Sequence, residues 1–322
     1  MDDDRVIFAL SSSIELGEKV AEHLAVELGE IEIKHFKDGE ILVEPQQTVR
    51  GRNVFLIQST CFPVSENLME LLIAIDACKR ASAKSITAVL PYYGYARQDR
   101  KARPRQPITA KLVADMIQIA GANRVVTVDL HAQQIQGFFN IPNDDLTAVS
   151  IIGEYYRDKK FTDEVVVISP DHGGATRARK LANYLHCSIA IVDKRRPLDN
   201  EVEALNIVGD VDHKIAVIID DICDTGGSLL ASVDILLEKG AKKVLAAVTH
   251  GVLSEPALDI INKSKIEEVV VTDTIPLRGH SPKVVQVSVS DMLAKVIDAI
   301  STATPVSEVY DKFTYNQKKD ED

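Results

Sequence analysis

Short runs of aliphatic and β-branched residues, apolar at nearly every position rather than at alternate ones, recur along this chain between stretches of helical periodicity. A strand with one wet face alternates polar and apolar residues. A strand apolar on both faces needs a layer of helices on each side, which is the arrangement of a parallel sheet. The runs predict strands at Val6–Leu10, Val54–Gln58, Ser85–Leu90, Arg124–Val128, Val165–Ser169, Ser188–Val192, Ala216–Ile219, Lys243–Thr249, Val269–Thr272 and Val284–Val289. Helical patterns between them cover Leu16–Leu28, Glu66–Ala81, Ile108–Ala120, Thr176–Leu185, Ser228–Lys239 and Asp291–Ser301. The expected fold class is therefore α/β, with parallel sheets flanked by helices.

The chain also resembles itself. ASAKSITAV (Ala81–Val89) matches KGAKKVLAAV (Lys239–Val248), ANRVVTV (Ala122–Val128) matches PKVVQV (Pro282–Val287), and EKVAEHL (Glu18–Leu24) matches RKLANYL (Arg179–Leu185). The three matches keep their order at nearly one offset, which predicts a duplicated α/β domain with its junction near residues 145–155. A length of 322 residues suits two such domains. If the halves are copies, their differences locate the chemistry. Asp129-Leu130-His131 follows one strand of the first half, and Asp220–Ser228 follows a strand of the second.

Lys and Arg total 37 against 48 Asp and Glu, a net charge of −11, which argues against a general nucleic-acid binder. It leaves room for phosphate substrates held by local clusters of Arg and Lys. No apolar run reaches the roughly 18 residues of a membrane span, and the acidic start MDDDR is unlike a signal peptide. Cys61, Cys78, Cys187 and Cys223 are scattered without CxxC spacing, so the expected compartment is reducing and cytoplasmic.

AVIIDDICDTGGS (Ala216–Ser228) is the most informative segment. A buried strand ends in Asp220 and Asp221, and Asp224, Thr225, Gly226, Gly227 and Ser228 follow before a helix. The two glycines let backbone N–H groups turn toward an anion, and the helix start adds its positive dipole. Thr225 and Ser228 can donate to the same phosphate. The carboxylates would repel a phosphate alone, but suit sugar hydroxyls or a Mg²⁺ beside it. Neither GxxxxGK[ST] nor GxGxxG occurs.

Other motifs add polar chemistry. In HFKDGEI (His35–Ile41), Phe36 can stack a purine while Asp38 and Glu40 accept hydrogen bonds beside Gly39. PYYGYARQDRK (Pro91–Lys101) sets Arg97 and Gln98 after a strand, suited to a polyphosphate or a base edge. VDKRRP (Val192–Pro197) places Lys194 and Arg196 two apart on an extended chain, so both can face charge developing on a transferring phosphoryl group. VDLHAQQIQGFF contains His131, and SPDHGGATRARKLA (Ser169–Ala182) contains Asp171.

The acidic turn resembles the phosphoribosyl pyrophosphate (PRPP) loop of type I phosphoribosyltransferases. That motif alone does not separate enzymes that consume PRPP from the one that makes it. The whole set of motifs, in this order from about residue 5 to residue 310, is similar to the class I ribose-phosphate pyrophosphokinase family. The resemblance implies two tandem type I phosphoribosyltransferase-like domains, 1–147 with the ATP-binding motifs and 148–322 with the ribose 5-phosphate loop. It implies the reaction of ATP with D-ribose 5-phosphate to give AMP and PRPP, with Mg²⁺ required.

By motif it implies ATP binding by Phe36, Asp38, Gly39, Glu40, Arg97, Gln98 and His131, with the Phe36 loop reaching over from a neighbouring subunit. It implies metal binding at His131 and Asp171, and a catalytic pair in Lys194 and Arg196. Ribose 5-phosphate falls to Arg196, Asp220, Asp221, Asp224, Thr225, Gly226, Gly227 and Ser228. Relatives assemble as homohexamers, activated by inorganic phosphate and inhibited by ADP. Arg50, Arg105 and Ser307 are the candidates here for that regulatory anion site, since guanidinium groups bind phosphate oxygens in pairs. Cys223, where an aliphatic residue is usual, and Ser228, where Thr is usual, depart from the family pattern while preserving the loop's chemistry.

Overall fold

The computed structural model describes residues 4–195, 204–307 and 309. These residues fall into two compact units. The first comprises 4–147, Thr274–Pro276 and the chain from Ser288 onward; the second comprises Ala148–Asp273 and Leu277–Val287. The first junction lies between Thr147 and Ala148, but the last helix does not stay with the half in which the sequence places it.

In the first unit the chain runs β1 (Arg5–Ala9), α1 (Ile14–Leu24), β2 (Ile31–His35), β3 (Ile41–Pro45), β4 (Asn53–Ile57), α2 (Val64–Arg80), β5 (Ser85–Leu90), α3 (Thr109–Ala120), β6 (Arg124–Val128) and β7 (Asn143–Leu146). β1, β4, β5, β6 and β7 form a parallel sheet in the order β1-β4-β5-β6-β7. β2 and β3 stand apart as an antiparallel hairpin. Phe8, Leu10, Leu56, Leu71, Ile75, Leu90 and Ile117 are fully buried in one core between sheet and helices. A helix predicted to run to Leu28 ends at Leu24, because Ala25 turns left-handed (φ 52°) and Val26 N–H returns to the Ala21 carbonyl.

The second unit holds α4 (Val149–Asp158), β8 (Val165–Ser169), α5 (Ala175–Leu185), β9 (Ser188–Arg195), β10 (Ala204–Val208), β11 (Ile215–Cys223), α6 (Gly227–Glu238), β12 (Lys243–Gly251), α7 (Ala257–Lys263), β13 (Glu268–Thr272) and β14 (Val284–Val287). Its seven-stranded sheet has the order β10-β9-β8-β11-β12-β13-β14, parallel except for the edge strand β10. Successive residues of one strand enter two different cores. Val166, Ala216, Ile218 and Val244 pack on one face, and Val167, Val217, Ile219 and Leu245 on the other. Burial on both faces is what the unbroken apolar runs require. The final helix, α8 (Ser290–Ser301), returns to the first unit, where it packs on α1 and Asp298 accepts from Arg5 Nη1 at 2.7 Å.

The strand orders bear on the duplication. β1-β4-β5-β6-β7 and β8-β11-β12-β13-β14 are the same arrangement, read in chain order. Two of the sequence matches follow it: α1 with α5, and β5 with β12. The third does not, because the counterpart of β6 is β13, not β14. Strands buried on both faces converge on the same few residue types, so local similarity misplaced this pair by one strand. With the pairing corrected, Asp129 after β6 corresponds to Asp273 after β13, so this acidic residue is shared by both halves rather than peculiar to the first.

Four strands carry weaker signals: β2, β3, β7 and β10, along with helices α4 and α7. β7 reads NDDL, with scarcely an apolar residue. It holds the sheet edge through an Arg124–Asp144 ion pair and a Thr127 Oγ1 hydrogen bond to Asp145 at 2.9 Å. No described helix is long and apolar enough to cross a membrane.

Candidate active site

In parallel sheets, functional groups collect beyond the carboxyl ends of the strands, where the loops open. In the second unit, β9, β8 and β11 are neighbours, and their carboxyl ends carry Lys194, the Asp171 loop and the Asp220–Ser228 turn. β9 remains extended through Arg195. Arg196 lies outside the described residues.

The acidic turn is built around one cation. Arg177, on the first turn of α5, points Nη1 at Asp220 Oδ1 (3.5 Å) and Asp221 Oδ1 (3.4 Å). Its Nε is buried with no hydrogen-bond partner. Asp221 is buried, whereas the Asp220 side chain keeps 36% of its exposure and accepts Asp221 N–H at 2.9 Å. Burial first, and then the Asp221 carboxylate beside it, push Asp220 up to about 7 against the pull of Arg177. Three carboxyl groups, Asp220, Asp221 and Asp224, against the one Arg177 leave the turn net acidic. That suits a cation or sugar hydroxyls rather than a bare phosphate.

Groups suited to an anion come one step further along. Gly226 has φ +80°, a left-handed value open to glycine, and α6 starts immediately after it with no side-chain cap. Gly227 and Ser228, the first residues of α6, are exposed, and a Cβ built on Gly226 would meet nothing within 4 Å, so the start of α6 is open. Thr225 and Ser228 flank it, both exposed. Uncapped N–H groups, the helix dipole and two hydroxyls make an anion cradle beside an acidic pair. Cys223 is packed beneath the turn, and burial pushes its thiol up to about 12. It serves as filling rather than as a nucleophile.

Asp171 is exposed and its Oδ1 accepts Gly174 N–H at 2.9 Å, at the start of α5. His172 Nε2 lies 3.3 Å from Asp193 Oδ1, linking that loop to the strand carrying Lys194.

In the first unit, Phe36, Asp38, Gly39 and Glu40 form the tip of the β2–β3 hairpin. Phe36 N–H donates to Glu40 O (2.8 Å) and Glu40 N–H to Asp38 Oδ1 (3.2 Å), while half the Phe36 surface is exposed. An aromatic ring held half-exposed on a hairpin adds little to its own core. Arg97 and Gln98 are exposed beyond β5. Thr109 Oγ1 donates to Gln98 Oε1 at 2.5 Å and Gln134 Nε2 to Asp99 Oδ2 at 2.7 Å, which ties this loop to the 3₁₀ helix Gln133–Phe138 just after His131. Arg97, Gln98 and His131 thus sit on two adjoining loops.

Arg50 borders a cavity of about 420 Å³ with Leu42, Glu44, Thr48 and Ala81, and its Nη1 contacts Ser82 Oγ at 3.3 Å. Arg105 (φ 69°) and Ser307 are exposed elsewhere in the same unit. No hydrogen bond among the described residues joins any two of the three.

Among the described residues no group of three or more His, Cys, Asp or Glu side chains converges on one point. Mg²⁺ fits the second unit nonetheless, because it is commonly held by one or two carboxylates with the substrate's phosphates completing its shell. Asp220, Asp221 and Asp171 offer hard oxygen donors beside the open cradle. Arg177 is the functional residue that sequence reasoning passed over. The string ATRARK signals an amphipathic helix, and nothing in it distinguishes the arginine that turns inward.

The family model for the N-terminal domain of ribose phosphate pyrophosphokinase matches residues 5–121, and the phosphoribosyl synthetase-associated domain matches residues 196–311. The chain is 52% identical over 307 residues to the ribose-phosphate pyrophosphokinase of Fusobacterium nucleatum, covering 94% of this chain and 97% of that one. It is 53% identical to that of Bacillus caldolyticus, covering 95% and 97%. The crystal structure of phosphoribosylpyrophosphate synthetase from Mycobacterium smegmatis superposes with a TM-score of 0.87 at 42% identity, covering 92% of this chain and 98% of that one. Cradle, acidic pair, exposed aromatic hairpin and sequence agree, and the chain belongs to the ribose-phosphate pyrophosphokinase family.

Proposed function

We propose that the chain transfers the pyrophosphoryl group of ATP to the 1-hydroxyl of D-ribose 5-phosphate, releasing AMP and PRPP for nucleotide biosynthesis. The observation that carries this reading is the acidic pair Asp220–Asp221 beside the open, uncapped start of α6. The 5-phosphate takes the N–H groups of the first turn with Thr225, Gly226, Gly227 and Ser228, and the ribose hydroxyls take Asp220, Asp221 and Asp224. The 1-hydroxyl oxygen bonds to the β-phosphorus, the bond from that phosphorus to the oxygen bridging to the α-phosphate breaks, and its electron pair leaves with AMP. The hydroxyl proton passes to Asp220 or to water; a carboxylate raised toward neutrality is a fitting acceptor. When bound, Mg²⁺ neutralises phosphate charge, with Asp171 and His131 as its candidate ligands besides the acidic pair. Lys194 and Arg196 stabilise charge spreading over the β-phosphate and the departing AMP. Phe36, Asp38, Gly39, Glu40, Arg97, Gln98 and His131 bind ATP.

We assign the two units the roles of ATP-motif domain and ribose 5-phosphate domain, and place the enzyme in the cytoplasm, in line with its four free thiols. We further propose a homohexamer in which Arg50, Arg105 and Ser307 form the site for activating phosphate and inhibitory ADP. The test is AMP release from ATP and ribose 5-phosphate across a Mg²⁺ series. Equimolar AMP and PRPP are expected. Pyrophosphate release from PRPP and a nucleobase, without AMP formation, would instead make the chain a phosphoribosyltransferase.

A further inference from the structure

The first unit uses the stretch after β4 differently from its counterpart after β11. Where the second unit has its acidic turn, the first has Gln58-Ser59-Thr60, all buried. These residues run beside the end of β5, where Pro91 supplies no N–H to the β4–β5 ladder. Side-chain hydroxyls continue the pairing. Tyr92 N–H donates to Ser59 Oγ at 3.2 Å, and Gly94 N–H donates to Thr60 Oγ1 at 2.6 Å. Thr60 N–H and Oγ1 both donate to Tyr92 O, at 3.0 and 3.3 Å.

Thr60 is 1% exposed, and Gly94 is pressed against it so closely that a Cβ would lie 2.3 Å from the Thr60 carbonyl oxygen and 2.9 Å from Oγ1. The chain then turns through Tyr95 at φ 62°, a left-handed value unusual for tyrosine, and Gln98 N–H closes the turn on Tyr95 O at 2.9 Å. Arg97 and Gln98 follow directly. A non-glycine left-handed residue persists only where its surroundings fix it, and the Thr60–Gly94 contact is the fixed point on its N-terminal side.

We propose that Thr60 is a positioning residue for ATP: its buried hydroxyl locks the Tyr92–Gly94 backbone and so aims Arg97 and Gln98 at the nucleotide. This rests on the reading of Arg97 and Gln98 as ATP ligands. Thr60→Val keeps the side chain's shape while stranding the Gly94 N–H, and Thr60→Ser keeps the hydroxyl. The enzyme is assayed with each substrate varied in turn. Thr60→Val raises the KM for ATP about tenfold and leaves that for ribose 5-phosphate within about twofold, since a buried donor without its acceptor shifts the loop by enough to misalign its ligands. Thr60→Ser restores the ATP KM, which a role in packing alone would not predict. Gly94→Ala, which breaks the same contact from the other side, reproduces the ATP-specific loss.

Arg97→Ala separates the two layers of the argument. If it raises the ATP KM while folded Thr60→Val does not, Thr60 has no positioning role. If Arg97→Ala leaves the ATP KM unchanged, the underlying assignment of the loop fails. Equal losses for both substrates in Thr60→Val and in Thr60→Ser would reduce Thr60 to ordinary core packing.

Discussion

Replacing Arg177 by Met removes the cation between Asp220 and Asp221 while keeping the aliphatic length of the side chain. Breaking a buried ion pair by removing one partner costs about 3–5 kcal/mol. Here the contacts are long, 3.4 and 3.5 Å, and Asp220 retains a third of its exposure, so the lower end applies, about 3 kcal/mol at pH 8. For a unit of this size, that lowers the melting temperature by roughly 6–12 °C. The loss depends on pH in a fixed direction. Asp220 titrates near 7 when folded and near 3.8 when unfolded, so its charge costs stability increasingly as pH rises from about 4 to about 7. At pH 5 Asp220 is protonated and Arg177 serves Asp221 alone; the difference between wild type and Arg177→Met shrinks by about half. Calorimetry of the protein free of substrates and Mg²⁺, at pH 5 and pH 8, measures both. Adding Asp221→Asn to the Arg177→Met variant recovers most of the loss at either pH. A depression of equal size at both pH values, or one below about 2 °C at pH 8, would refute the charge argument.

Three further outcomes follow from the proposed site. Lys194→Ala lowers kcat by about a hundredfold or more while both KM values stay within about threefold, because its charge is matched to the transition state; steady-state kinetics showing a loss of ribose 5-phosphate affinity alone would move it to a binding role. Asp224→Ala weakens ribose 5-phosphate binding about tenfold and leaves ATP binding intact, and calorimetric titration showing equal losses would contradict the sugar-phosphate assignment. Arg105→Ala blunts phosphate activation and ADP inhibition together in an enzyme of unchanged assembly size; normal responses to both ligands would remove Arg105 from the regulatory site.

The parallel sheets were legible because strands buried on both faces leave an unbroken apolar signal, and β5, β6 and β8 run over the expected residues. The edge strands were not. β7 is held by Asp144 and Asp145 side chains, and β10 pairs on one side only, so neither needs the composition that marks a central strand. The acidic turn showed itself because Asp, Gly and Thr are costly in a buried strand end unless they act on something. Arg177 and Thr60 did not, because their roles lie in which way a side chain points and what it meets across the fold. Those are long-range facts: Thr60 meets Gly94 from 34 residues away, and Arg177 meets Asp221 from 44. The misplaced partner of β6 has the same origin, since neighbouring β-branched strands carry almost no individual identity.

The return of α8 to α1 reverses the order in which the chain can be completed during synthesis. The first unit emerges from the ribosome first, yet one of its helices, with Leu293, Val296 and Ile297 buried and Asp298 bound to Arg5, is made after everything in the second unit. Until then α1 is covered only where it packs on β1, and domains otherwise fold in the order they are made. The second unit can therefore finish before the earlier-made unit closes. Cutting the chain at the apparent junction after Thr147 therefore would not yield two self-sufficient pieces; it would separate α1 from the helix that shields it.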